Sequence, residues 1–94
     1  MFVAVGTVSL YLPGVGSLKA KRTIVKSLLE RIRARYNVSA AEIADQELHG
    51  RTTMGIAAIS ASGEHAQQQV ETVFQFIEST RPDLVWIASD IELL

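Results

Sequence analysis

The stretch FVAVGTVSLYLPGVGSLKAKR, residues 2–22, decides the architecture. Along residues 2–12, Phe2, Ala4, Val8, Leu10 and Leu12 fall on one side and Val3, Val5, Thr7, Ser9 and Tyr11 on the other. That period of two reads as a strand with apolar side chains on both faces. Pro13-Gly14 ends it, and Ser17 is a good N-cap for a helix that continues to about Tyr36. The helix carries an apolar stripe of Leu18, Val25, Leu28, Leu29, Ile32 and Tyr36, at separations of three, four and seven, so one side is buried. Asn37 is a plausible stop.

The remaining elements follow by the same reading. Residues 38–46 form a second strand whose alternation is blurred by Ala40, Ala41 and Ala44, and residues 47–50 form a turn. A third strand covers residues 52–61 through Met54, Ile56, Ala58 and Ile59. Ser62 or Gly63 begins a second helix with the stripe Ala66, Val70, Val73, Phe74 and Ile77, closed by Arg81-Pro82-Asp83. The last strand, residues 84–93, sets Val85, Ile87, Ile91 and Leu93 against Trp86, Asp90 and Glu92. The order β-α-β-β-α-β predicts an α+β, ferredoxin-like two-layer sandwich: an antiparallel sheet with two helices on one face. Right-handed crossovers give the strand order 4-1-3-2. Leu10, Val25, Leu28, Ile32, Phe74 and Ile77 are expected to be buried together.

At 94 residues there is room for a single domain, residues 1–94, and the 48% hydrophobic content suffices for a two-layer core. Cysteine is absent, which removes disulfides, thiol catalysis and cysteine-based metal sites. The apolar start lacks a basic flank and is too short to span a bilayer, so a soluble, cytoplasmic protein without membrane contact is expected.

Charge is distributed unevenly. Net charge is −1, yet seven of the nine Lys and Arg residues fall between Lys19 and Arg35. Lys19, Lys21 and Arg22 crowd the start of the first helix, where the backbone dipole disfavours cations by roughly 0.3–1 kcal/mol each when exposed. Lys19, Lys26 and Arg33, seven apart, form a row along one flank with Arg22 beside it. Such a row can follow a phosphate backbone. Arg31 and Arg35 lie toward the helix C-terminus, where the dipole favours them. The bland alternative is a solvated helix, or one paired with Glu42, Asp45 and Glu47.

Catalysis has little support in the residues. The Gly14-Val15-Gly16-Ser17 turn lacks both nucleotide-loop spacings, leaving only free N–H groups at a helix start. His49 and His65 have no metal-ligand spacing, and Glu42 and Asp45, three apart on a strand, point to opposite faces. No metal or cofactor is expected. An acylphosphatase-like hydrolase would place its phosphate cradle at residues 13–22 with Arg22 on the phosphate, but no asparagine is evident to position water. Base stacking of the RRM type needs aromatic residues on strand three, and residues 52–58 have none. On the open sheet face, Val3, Val5, Tyr11 and Trp86 are expected to form an apolar patch, favouring self-association.

Pro13-Gly14, Ser17-Leu18-Lys19-x-Lys21-Arg22, Val38-Ser39-x-Ala41-Glu42, Gln46-x-Leu48-x-x-Arg51, Gly55-x-Ala57 and Ile91-Glu92 resemble the bacterial YlxP-like family, a domain of unknown function. The likeness covers nearly the whole chain, although His49 stands where relatives often carry a bulky aromatic. The resemblance implies a ferredoxin-like fold and, from gene neighbourhoods among transcription and translation factors near ribosome-binding factor A, a ribosome- or RNA-related role.

The resulting expectation is a non-enzymatic, RNA- or ribosome-associated accessory protein, without DNA specificity. Its phosphate contacts would be Lys19, Lys21, Arg22, Lys26 and Arg33. The alternative is a homo-oligomeric module whose basic helix meets an acidic protein.

Overall fold

In the computed structural model, which describes all 94 residues, the chain runs β1 (Phe2–Tyr11), α1 (Leu18–Arg35), β2 (Ser39–Ala44), β3 (Arg51–Ser60), α2 (Gly63–Thr80), β4 (Val85–Leu93). The four strands form one antiparallel sheet in the order β2-β3-β1-β4, the ferredoxin-like arrangement expected, and both helices pack on one face. No helix is long and apolar enough to cross a membrane.

Each helix starts where a serine can satisfy a free backbone N–H. The Ser17 hydroxyl accepts from the Ala20 N–H at 3.1 Å and that of Ser62 from the His65 N–H at 3.3 Å. α1 ends because Tyr36 turns extended, its N–H still donating to the Ile32 carbonyl. α2 stops at Arg81, with Pro82 next and the Arg81 guanidinium held on both Asp83 oxygens at 2.9 and 2.7 Å.

The core lies between the helices and the even-numbered positions of β1 and β3. Leu10, Val25, Leu28, Ile32, Phe74 and Ile77 are all buried in it, as their spacing predicts. Gly6 is what lets α2 approach so closely. A β-carbon there would stand 2.4 Å from the Val70 Cγ1 and 2.9 Å from the Phe74 ring.

Two irregularities change which way side chains face. β4 carries a bulge: Trp86 pairs with Leu10, but Ala88 pairs with Ser9, leaving Ile87 as the extra residue. The bulge breaks the alternation read from the sequence. Trp86 therefore does not lie on the open face; it stands on the helix side, edge-on to Phe74 at 5.5 Å between ring centroids. Ile91 and Leu93 join that side, opposite Gly6 and Ala4, while Val85 pairs with Tyr11 on the open face. β2 is also irregular between Glu42 and Ala44 and ends sooner than its sequence suggests, because Asp45 adopts φ 64°.

Candidate functional site: the basic helix and the open sheet face

Four of the seven cations of α1 have work inside the fold. Lys21 is fully buried. Its Nζ donates to the Asp45 carbonyl and sits 2.9 Å from the Glu42 Oε2. The same Glu42 oxygen accepts the Thr52 hydroxyl proton at 2.6 Å. On the opposite face of the sheet, the Asp45 carboxylate accepts from Thr53 at 2.6 Å and from the Arg51 Nε at 3.0 Å. Thr53 has one hydroxyl proton and gives it to Asp45, so Ser9, 2.9 Å away, donates to Thr53. The Thr53 bond, with Arg51 and then the Lys21 charge behind it, holds the Asp45 carboxyl below its ordinary 3.8 against the opposing effect of burial.

Lys21 is thus a structural cation and leaves the expected anion-binding set. The sequence holds the sign of this: Lys21 precedes Val25 by four, Leu28 by seven and Ile32 by eleven, so it stands inside the apolar stripe. Glu42 is the partner that the pairing alternative named, whereas Asp45 enters through its carbonyl.

Arg33 also has a structural role. Its Nε donates at 3.1 Å to the Ala40 carbonyl, which its Nη2 reaches as well, on the free edge of β2. Arg31 and Arg35 lie over the Phe76 ring at 5.8 and 5.4 Å, and Arg35 also faces Tyr36.

Lys19, Arg22 and Lys26 remain exposed. None is among the three ion pairs of the fold, which are Lys21–Glu42, Arg51–Asp45 and Arg81–Asp83. Their separations of three and four keep them on one flank, along about 10 Å of helix axis. Glu30, the only acid of α1, stands four residues beyond Lys26 without pairing to it. Arg22 makes no hydrogen bond to the 13–17 loop. That loop is instead tied to the 48–50 turn, where His49 Nδ1 donates to the Val15 carbonyl at 2.8 Å and the Leu12 N–H to Gly50 at 2.9 Å. His65 is exposed, and no group of three His, Cys, Asp or Glu side chains is placed to hold a metal ion.

The second notable surface is the sheet face away from the helices. Val3, Val5 and Tyr11 lie on it as expected. Ile43, Ile59, Val85 and Ile87, none of them assigned to this face by the sequence reading, are each about half exposed. Gly55 is central. Ile43 leans over it, its carbons 3.1–3.7 Å from where a β-carbon would be, beside a depression of about 350 Å³ lined by Val5, Thr7, Ala41 and Ala57.

A profile for a protein family of unknown function, DUF503, matches residues 3–90. The chain belongs to this family. Within it, the chain is 42% identical over 64 residues to the uncharacterized protein YlxP of Bacillus subtilis, an alignment covering 68% of this chain and 70% of YlxP. Among solved structures, a putative chlorite dismutase aligns with a TM-score of 0.58 at 13% identity, over 99% of this chain. This chain spans 44% of that protein, and the likeness is one of fold. A dimeric ferredoxin-like protein from an uncultured marine organism aligns over 98% of this chain and 94% of its own, with a TM-score of 0.47 at 14% identity. The DUF503 and YlxP matches agree with the family resemblance read from the SLKxKR and QxLxxR segments.

Proposed function

We propose that this YlxP-like protein is a cytoplasmic binding protein, not an enzyme, that holds RNA or the ribosome through phosphate contacts from Lys19, Arg22 and Lys26. One observation carries the reading: these three cations share a flank and have no partner in the fold, while every other cation of α1 has one. Lys19 and Arg22 lie near the helix N-terminus, where the dipole opposes them and no acid of the first turn offsets the cost. A row about 10 Å long with free side chains can reach two or three successive phosphates, giving affinity with weak sequence preference. The flat strand-three surface, with Thr53, Gly55 and Ala57 outward, offers no ring for base stacking, so contact through phosphate and shape suits this chain better.

The test is co-sedimentation of the full chain with ribosomal subunits, and titration onto single-stranded RNA, across a salt series. Three phosphate contacts give a log–log salt slope of about −2 on single-stranded RNA. Binding that holds its strength across the series points instead to an apolar protein contact. Absence of binding at low salt removes the reading.

A further inference from the structure

The open sheet face is apolar in the wrong place for a lone domain. Ile43, Ile59, Val85 and Ile87 are 45–53% exposed there, alongside Val3, Val5 and Tyr11. Half-exposed apolar side chains in this number on one sheet face mark a contact, although Thr7, Ser9, Thr53 and Asp90 stand among them. None of the 94 residues is left over to cover it, because both helices lie on the other side.

We propose that a second copy of this chain covers this face, the two sheets packing face to face about a twofold axis. Area is the first argument. The four strands hold 10, 6, 10 and 9 residues, so at about 3.3 Å per residue and about 4.8 Å between strands one face offers roughly 550 Å². That is about a tenth of the molecule's 5357 Å² surface. Two such faces bury about 1,100 Å² before side-chain relief is counted, above the roughly 1,000 Å² that a specific interface should clear.

Shape is the second argument. The face carries its own complement: Ile59 and Val85 stand toward opposite ends of the sheet, and the depression lined by Ile43, Gly55 and Ala57 lies between. A twofold contact brings each copy's projections against the other's hollow. Arg51 is already paired with Asp45, and the other acids of this face, Asp90 and Glu92, stand opposite Thr7 and Val5 on the outermost strand β4.

The rival way for two copies to meet, by adding strand to strand, is obstructed at both edges. Arg33 occupies the Ala40 carbonyl on the edge of β2, so that edge cannot offer a full row of free backbone groups. The bulge at Ile87 interrupts the edge of β4.

The test is sedimentation equilibrium of the full chain from low micromolar to several hundred micromolar. Wild type is expected at twice its 10.3 kDa mass. Thr7 is exposed on the central strand β1 of this face, so Thr7→Arg places a charge in the interface without touching the core. It should raise the dimer dissociation constant at least 100-fold. Trp86 reports folding independently, because it packs on the opposite side of the sheet, and its fluorescence should match that of wild type. Val5→Lys provides the same test should Thr7→Arg fail to fold. A wild type that stays monomeric throughout, or a folded variant that dimerises as tightly as wild type, overturns the proposal. Neither outcome affects the phosphate-binding flank of α1, which is read out separately by RNA.

Discussion

Lys19 and Lys21 are two residues apart on the same helix and have opposite fates. Lys21 points into the sheet and is saturated by Glu42 and the Asp45 carbonyl, whereas Lys19 stands in solvent with Arg22 and Lys26 and meets nothing. The first is fixed by desolvation. A buried ammonium is tolerated only when its protons are accounted for, and the bulged end of β2 supplies the acceptors. The second is not required by anything inside the molecule. Charge density along a sequence therefore counts two kinds of residue as one, and only their angular position relative to the apolar stripe separates them.

The largest expected effect comes from breaking the inner half of this comparison. Lys21→Ala leaves Glu42 without its cation, and Glu42→Ala leaves the ammonium buried and unpaired. Each should cost about 3–5 kcal/mol in denaturant unfolding. Replacing the pair together with apolar residues of similar volume should recover most of that loss. If both single variants unfold like wild type, Lys21 is not the structural cation described. A Lys19→Glu, Lys21→Glu double change should also destabilise the fold, because it sets a carboxylate at position 21 beside Glu42. Trp86→Lys should disrupt the core, because Trp86 contacts Phe74 on the helix side of the sheet.

Next in size is Gly6→Ala. The new methyl group would collide with Val70 and Phe74, and overpacking of this kind costs about 1–3 kcal/mol. A melting temperature equal to that of wild type would show that α2 can retreat from the sheet without loss.

Acid dependence gives a smaller effect with a definite sign. Asp45 is held below its ordinary 3.8 by Thr53, Arg51 and Lys21, and Asp83 is likewise lowered by Arg81. A lowered folded-state value means the stabilisation is complete above 3.8 and is lost as pH falls through the lower folded value. Melting temperature should fall in that acidic range, and Asp45→Asn should remove part of the fall while already costing stability at neutral pH. A variant with an unchanged acid limb would separate Asp45 from the network.

The fold was legible because its signals are redundant. The two apolar stripes, Ser17 and Ser62 as caps, and the alternation of β1 each point to the same arrangement, and all six expected core residues share the core. The site was only partly legible. Lys19, Arg22 and Lys26 lie exposed where helical spacing puts them, and Val3, Val5 and Tyr11 face away from the helices. The burial of Lys21 is readable in its spacing, since it shares the stripe of Val25 and Ile32. Trp86 was not readable. Nothing in Val85-Trp86-Ile87-Ala88 announces a bulge, and one extra residue reverses every later side chain. Arg33 is a milder case: its position on the flank was right, but the use of its guanidinium depends on how close β2 comes.

The outer half of the comparison carries the smallest expected change in stability and the most direct test. Lys19→Glu with Lys26→Glu touches no partner in the fold. Stability should hold or rise, by about 0.3–1 kcal/mol for Lys19 at the helix start. The decisive measurement is binding of this double variant and of wild type to ribosomal subunits and single-stranded RNA at low and moderate salt, with melting temperature taken on the same samples. The flank reading predicts that binding collapses and the salt slope flattens while the melting temperature is level or higher. A variant that binds RNA as well as wild type contradicts it.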